Sequence, residues 1–299
     1  MKKLFFLLPC LALTFASCTN DDLNSDKQDT RLGVKVKVNE LSRAGMITGT
    51  SLPDDAEIGV SLTATDGTLY NGKTYSNIKY SNGSEWSTET PIMLSGTEGK
   101  AIAYFPWKES VQDLTAIPVN VADQEDWMFS GEETGLNDTN SKVAFEMQHA
   151  QTAVNIKIIR DDNYTGEGII ESLSIVSNGL ASKGSYSAAD GTWDAATLEG
   201  VGEAIVIADD FQLTSTYKSQ ENPYMLIPAT SEVVPFAIAA MVDGKPYAAT
   251  VAMTEAFVKG KVYKLNVKIA SVGLSVDDVV LIEDWQPESL TDGSFKPAE

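Results

Sequence analysis

Residues 235–253 read PFAIAAMVDGKPYAATVAM, two largely apolar runs on either side of Asp243 and Gly244. Short apolar runs bounded by turn residues are typical of β-strands. An Asp-Gly pair favours the type I′ turn, because its backbone twist matches the twist of two paired strands. This stretch therefore predicts a β-hairpin.

Runs of the same kind recur along the chain from residue 32 onward. In the first of them apolar residues alternate with Gly or Lys, and the apolar positions are Leu32, Val34, Val36 and Val38. This period of two indicates a strand with one buried face. Further runs are IGVSLT (58–63), AIAYFP (101–106), TAVNIKI (152–158), AIVIA (204–208) and KVYKLNVKI (261–269). Sustained helical periodicity is lacking, so the sequence predicts an all-β protein of the sandwich type.

A polar stretch, GEETGLNDTNSK, interrupts the apolar runs at residues 131–142. We predict a domain boundary directly after it. The two predicted β-sandwich domains are then residues 32–142 and 143–299, each close to the common size of a single domain.

The first 18 residues, MKKLFFLLPCLALTFASC, have the three parts of a secretory signal. Two lysines precede an apolar run, and the small residues Ala16 and Ser17 precede Cys18. A cysteine at this place is typical of bacterial lipoproteins, in which the thiol takes a diacylglycerol. We predict a signal peptide over residues 1–17, lipidation of Cys18 and a polar tether over residues 18–31. An ordinary cleaved signal followed by a chance cysteine is the alternative.

The composition excludes several classes of function. The chain carries 42 acidic and 22 basic side chains, a formal net charge of -20, which disfavours nucleic acid as a partner. His149 is the only histidine, so a zinc motif with two histidines is excluded. Ser215 and Lys218 have the S-x-x-K spacing without its companion motifs. The sequence predicts no enzyme, no metal site and no cofactor.

Five segments, in this order, give the chain a resemblance to a known family. They are LGVKVKVNELSRAG (32–45), AYFPW (103–107), FEMQHAQTAVNIKI (145–158), FVKGKVYKLNVKI (257–269) and GLSVDDVVLIEDW (273–285). Together with the lipoprotein signal they resemble the fimbrillin-like family of pilus subunits. The resemblance implies two transthyretin-like β-sandwich domains in tandem, export as an outer-membrane lipoprotein, and assembly after an arginine-specific protease removes the first strand.

The chain has three arginines as candidates for that cut: Arg31, Arg43 and Arg160. Arg31 precedes the first strand, and Arg160 follows the strand at 152–158. Arg43 lies after the first strand, beside Gly45, so we predict cleavage after Arg43 and removal of the strand with Leu32, Val34, Val36 and Val38. The alternative is that Arg43 is an ordinary solvated loop residue.

The strand that would refill the vacated groove is predicted at residues 274–285, LSVDDVVLIEDW. Both of its faces carry apolar residues, as expected for a strand covered on both sides: Val276, Val280 and Ile282 on one face, and Val279, Leu281 and Trp285 on the other. The alternative is an ordinary last strand of the second domain.

Two functions from different classes fit the sequence. The first is a pilus subunit that polymerises with other subunits by strand exchange at the cell surface, where a host or bacterial receptor would be a further partner. The second is a surface lipoprotein whose β-sandwich domains bind glycans through exposed tryptophans.

Overall fold

A computed structural model gives the fold of residues 30–39, 50–216, 218–219 and 223–282. The first ten strands are β1 Thr30–Arg31, β2 Gly33–Val38, β3 Glu57–Ala64, β4 Tyr75–Ser81, β5 Met93–Leu94, β6 Gly99–Phe105, β7 Ile117–Asn120, β8 Met128–Phe129, β9 Glu133–Leu136 and β10 Lys142–His149.

The remaining strands are β11 Thr152–Arg160, β12 Ile169–Val176, β13 Leu180–Ala181, β14 Lys183–Tyr186, β15 Ala204–Gln212, β16 Lys218–Ser219, β17 Tyr224–Pro228, β18 Phe236–Val242, β19 Lys245–Val251, β20 Val262–Ala270 and β21 Gly273–Ile282. Two single-turn 3₁₀ helices lie at Val121–Asp123 and Ala195–Thr197. Across these ranges there is no helix with the length and apolar character needed to cross a membrane. The prediction of an all-β protein is confirmed.

The hairpin predicted around Asp243 and Gly244 is present as β18 and β19. The two strands pair antiparallel, and Val242 stands opposite Lys245, so the connection has two residues. Asp243 has a φ of 50° and Gly244 a φ of 70°. Positive φ at both positions is the requirement of a type I′ turn, which explains why this pair of residues stands here.

The first sheet is built from the N-terminal half of the chain. Its strand order is β2-β10-β8-β6-β3-β4, and β9 pairs with β6 beside this path. Its apolar side chains form one core cluster with residues of β5 and of the loops around it. Fully buried members include Ile58, Leu62, Tyr80 and Phe145.

The C-terminal half forms two sheets that pack face to face. One has the order β13-β17-β11-β20-β21, with β16 paired to β11, and the other has the order β15-β12-β18-β19. Alternate residues of both sheets point into a second core cluster, for example Ile156 of β11, Ile175 of β12 and Ile238 of β18. Alternation with inward apolar residues is the pattern of a β-sandwich.

The two halves are joined by more than the chain connection. β7 pairs antiparallel with β14, although the two strands lie far apart in the sequence. The Gln124 side chain donates to the carbonyl of Met225 at 3.1 Å and accepts from its amide at 3.0 Å. The Trp193 indole donates to the carbonyl of Ala150 at 2.8 Å. These contacts connect the sheets across the junction.

The change from one sheet to the next lies at residues 150–151. The boundary predicted after residue 142 falls at the start of β10, which hydrogen bonding places in the first sheet with β2 and β8. β11, only three residues beyond the end of β10, belongs to the second sheet. The division into two tandem domains stays a prediction, and the second core cluster includes residues from both halves, among them Tyr104 and Trp127.

Candidate functional site

The predicted removable strand is β2, and it lies at one end of the first sheet. Among the described residues its partner strand is β10, to which it runs parallel from Gly33 opposite Lys142 to Val38 opposite Met147. An edge strand of this kind is held by one row of backbone hydrogen bonds instead of two. Less hydrogen bonding therefore has to break to release it than to release a central strand.

Side chains of this segment alternate between core and solvent as the sequence predicted. Leu32, Val34 and Val38 are buried and Val36 is half-buried, whereas Lys35 and Lys37 are exposed. Lys37 forms an ion pair with Glu146 directly across the ladder. An exposed pair of this kind adds little to stability, so the apolar residues hold the strand in place.

The groove beneath β2 is apolar. Three β10 residues stand opposite its valines, Val143 opposite Val34, Phe145 opposite Val36 and Met147 opposite Val38. All three are buried in the first core cluster. Removal of β2 would expose these side chains together with the backbone edge of β10.

Tyr80 lies in the same core, next to the start of the removable segment. Its hydroxyl is 3.5 Å from the carbonyl oxygen of Leu32. Burial raises the pKa of Tyr80 to about 12. The buried position beside β2 therefore favours the neutral form of the Tyr80 phenol.

Both ends of the segment are fixed. At its start, Thr30 and Arg31 pair with Leu94 and Met93 of β5. At its end, the amide of Val38 donates to the carbonyl of Thr50 at 2.9 Å. The predicted cleavage residue Arg43 belongs to residues 40–49, which are outside the described ranges and lie in the sequence between Asn39 and Thr50.

The other two arginines are part of paired strands. Arg31 lies in β1, opposite Met93. Arg160 ends β11, where its amide donates to Thr214 at 3.0 Å and its guanidinium donates to the carbonyl of Glu167 at 3.2 Å. Proteases cut most readily in exposed loops, so both positions are poor sites for a protease.

The predicted donor segment is mostly β21, which lies at the edge of its own sheet. It pairs antiparallel with β20, from Gly273 opposite Ala270 to Ile282 opposite Val262, with an irregularity between Asn266 and Val267. Val276 is half-buried and packs against the second core cluster. The backbone of Val279, Val280, Leu281 and Ile282 continues the strand, whereas Trp285 is outside the described ranges, as is the predicted lipidation residue Cys18.

His149 lies in the core at the end of β10. Its Nδ1 is 2.6 Å from a carboxylate oxygen of Asp126, and both residues are buried. Ser215, the other residue considered for catalysis, is exposed. Within the described ranges no group of three or more His, Cys, Asp or Glu could hold a metal ion. The pair with Asp126 was not evident from the sequence, because the two residues lie in different segments and no local pattern links them.

Trp86 was also missed as part of this region. It lies in a short hairpin after β4 and lines a groove of about 650 Å³ with Val34 and Val36 of β2. Nothing in the sequence near residue 86 predicts that it lines a groove with residues fifty positions earlier. Its position became apparent only from the folded chain.

Comparison with known proteins gave one family and several solved structures. A sequence model described as fimbrillin-like matches residues 43–285. A crystal structure of a putative cell adhesion protein from Bacteroides uniformis is similar with a TM-score of 0.62 and 22% identity, covering 86% of this chain and 99% of that chain. A second one, from Bacteroides ovatus, has a TM-score of 0.55 and 20% identity over 87% of this chain and 99% of that chain.

At these identities the solved structures establish the fold alone. Comparison with curated protein sequences gave no match. The family model, in contrast, spans most of the chain, from Arg43 to Trp285, and includes four of the five segments on which the resemblance was based. The chain therefore belongs to the fimbrillin-like family.

Proposed function

We propose that this chain is a pilus subunit that is exported as a lipoprotein through Cys18 and polymerises by strand exchange after cleavage at Arg43. Membership of the fimbrillin-like family makes it a fimbrial protein of the cell surface and not an enzyme. Strand exchange, the lipid anchor in the outer membrane and the protease are the parts of the proposal that go further.

The edge position of β2 is the observation that carries this proposal. The strand supplies apolar side chains to a core, yet within the described part of the chain only β10 pairs with it along its length. After a cut at Arg43, residues 30–43 would be held by that ladder, by the short pairing with β5 and by apolar burial. The match to the family model begins at residue 43, so β2 lies outside the matched part of the chain.

Release of β2 creates a site for another strand. The edge of β10 then presents unpaired backbone groups above the buried side chains of Val143, Phe145 and Met147. An extended segment of a partner can restore both the hydrogen bonds and the apolar cover, which is recognition by β-augmentation. Its register is fixed because only one face of the strand can enter the core.

Charge changes little in this step. Residues 18–43 contain five acidic and five basic side chains, Asp21, Asp22, Asp26, Asp29 and Glu40 against Lys27, Arg31, Lys35, Lys37 and Arg43. Their loss leaves the formal net charge of the rest unchanged. We therefore attribute the drive for assembly to strand pairing and apolar burial.

The incoming strand is proposed to be residues 274–285 of the next subunit. Leu274, Val276 and Val280 have the spacing of Leu32, Val34 and Val38, and Asp278 takes the place of Val36, the half-buried member of the series. In the single chain β21 pairs with β20, so donation requires that this pairing opens. Donor and groove lie in different sheets, which makes the contact head to tail and able to propagate into a fibre. The alternative is that β21 is only the last strand of its own sheet.

Competition by a peptide tests the donor. Subunits lacking the signal peptide are treated with an arginine-specific protease and filaments are counted by electron microscopy, with and without excess synthetic peptide 274–285. We expect the peptide to occupy the groove and to stop filament growth, and a scrambled peptide of equal composition to have no effect. Filament growth at the same rate with either peptide would show that the donor assignment is wrong.

A chain truncated before Leu274 is the second test, and it is interpreted together with the peptide. The truncated subunit should be cut normally and fail to extend filaments. Because truncation also exposes the edge of β20, its solubility and fold must first be checked by circular dichroism and gel filtration. A folded, monomeric truncated chain that polymerises would contradict the proposal.

The solved relatives from B. uniformis and B. ovatus are described as putative cell adhesion proteins, which supports a surface role. The glycan-binding alternative receives no support from Trp107 or Trp127. Trp127 is buried, and Lys79 lies over the ring of Trp107 with its ammonium 4.8 Å from the ring centre. Stacking of a sugar on that face of Trp107 would require Lys79 to move.

A further inference from the structure

β2 has a second side, away from β10. There it borders an open groove of about 650 Å³, lined on the β2 side by Gly33, Val34, Lys35 and Val36 and across from them by Asn82, Ser84, Glu85 and Trp86, with Lys142 at the edge. The far wall of this groove belongs to a different part of the chain from β10. The removable strand therefore lies between two walls.

The far wall is a firmly closed hairpin. Ser81 and Ser87 exchange backbone hydrogen bonds of 2.9 and 3.1 Å at its base. Asn82 anchors it to the neighbouring loop, because its amide donates to Ala56 at 2.8 Å and its side chain donates to Pro53 at 2.7 Å. These hydrogen bonds of the hairpin join its two sides or go to Pro53 and Ala56, not to β2.

Trp86 is the large apolar residue of this hairpin. It is half-buried and packs against the first core cluster, the cluster to which Val36 also packs and of which Val34 is a buried member. The neighbouring groove residues Ser84 and Glu85 are exposed. The indole is therefore the large apolar group that lines the groove across from β2.

We propose that Trp86 is a latch for β2: it forms the outer wall of the groove, slows release of the strand and then contacts residues 274–285 of the next subunit, the strand proposed to replace it. This inference rests on the proposed function and assigns a specific role in it to residues 81–87. β10 supplies the hydrogen bonds of the site, and Trp86 supplies apolar contact from the opposite side. β2 and Trp86 together cover part of the first core cluster. When β2 leaves, apolar side chains of that cluster are exposed to water, and the cost of this exposure opposes the opening.

Hydrogen exchange in the uncleaved protein tests the latch separately from polymerisation. The reporters are the amides of Gly33 and Asn39, which donate to Ser141 and Met147 and hence report on the two ends of the β2–β10 ladder. In Trp86→Ala we expect both amides to exchange about tenfold faster, because a large aromatic contact is lost from the closed state only. Amides of β20 and β21 should exchange as in the wild type.

Two further variants complete the test. Glu85→Ala changes an exposed residue of the same groove and should leave the exchange of Gly33 and Asn39 unchanged. Trp86→Phe retains an aromatic ring and should recover most of the protection, and it serves if Trp86→Ala unfolds. The latch is disproved if Trp86→Ala leaves both reporters at the wild-type rate, or if it accelerates all strands equally, since Trp86 would then be only a core residue. Failure of filament assembly, in contrast, would affect the proposed function and not this result.

Discussion

The amide of Val38 donates a hydrogen bond to the carbonyl of Thr50 at 2.9 Å. The removable strand ends at Val38, and the first core sheet resumes beyond Thr50, so the segment containing Arg43 begins and ends at one place on the protein. Cleavage inside it would cut the covalent link between β2 and the rest of the chain without cutting any described strand.

We expect Arg43→Ala to remain monomeric after treatment with an arginine-specific protease. The remaining arginines, Arg31 and Arg160, lie in paired strands that resist proteolysis. Wild-type protein should give a fragment beginning at Ala44, detected by N-terminal sequencing or mass spectrometry, and then form filaments.

Arg31→Ala is the matched control for this experiment. It should be cut and should polymerise like the wild type, because its removal leaves the site at Arg43 intact. If Arg43→Ala still forms filaments after the protease, the trigger for assembly lies elsewhere in the chain.

Lipidation is tested with Cys18→Ala. The small residues Ala16 and Ser17 before Cys18 indicate a lipoprotein junction. The wild-type protein should incorporate a fatty-acid probe and fractionate with the outer membrane, whereas the variant should show neither. Cys10→Ala, which changes the other cysteine inside the predicted signal peptide, should label normally. Equal labelling of the Cys18→Ala protein would refute the lipoprotein assignment.

The donor strand is tested at one position of the competitor peptide. Val276 has the same spacing from Leu274 as Val34 has from Leu32, and Val34 is 7% exposed. A peptide with Val276→Asp should lose its ability to stop filament growth, since a carboxylate would have to enter an apolar core. A peptide with Asp277→Asn, changed on the other face of the strand, should inhibit as well as the original. Equal inhibition by all three peptides would exclude this register.

His149 is expected to be important for stability. Loss of its ring in His149→Ala leaves the buried Asp126 carboxylate without this hydrogen-bond partner, and loss of such a bond to a buried polar group costs about 2 kcal/mol. Urea unfolding of the variant should show this loss.

At urea concentrations below its unfolding midpoint, the variant should still form filaments. A hydrolase screen of the wild-type protein should give no turnover. Turnover that disappears with His149→Ala would contradict a purely structural role.

The hairpin turn should make stability depend on acid pH. Asp243 accepts from the Tyr164 hydroxyl at 2.6 Å and from the amides of Gly168 and Ile169 at 2.9 Å each. The hydrogen bond from Tyr164, followed by those from the backbone, lowers the pKa of the Asp243 carboxyl in the folded protein. A lowered folded pKa means that the stabilisation is present above the unfolded value of about 4 and is lost as the pH falls through the lower folded value.

Asp243→Asn isolates this effect, because Asn tolerates the positive φ of the turn. At neutral pH the variant should be less stable by about 1 kcal/mol in urea unfolding, the usual scale for one hydrogen bond. The difference from the wild type should shrink as the pH falls below about 4. A difference that stays constant down to pH 2 would mean that the charge of Asp243 has no part in it.

Much of the strand pattern could be read from the sequence. β2, β3, β6, β11, β15, β18, β19 and β20 all overlap the apolar runs identified there. The turn at Asp243 and Gly244 was predictable because two adjacent residues with positive φ select a narrow set of residue types. The alternation of Leu32, Val34 and Val38 likewise predicted which face of β2 enters the core.

The pairing of strands and the contacts between segments distant in the sequence were decided only by the tertiary structure. The sequence placed β10 in the second domain, whereas it pairs with β2 in the first sheet. It likewise contained no sign that β7 would pair with β14, or that Trp86 would face β2. A period of two records which face of a strand is buried, but the backbone edges of all strands carry the same donors and acceptors. For the strands with clear apolar runs, local sequence therefore determined where they lie, and packing of the whole chain decided which edges meet.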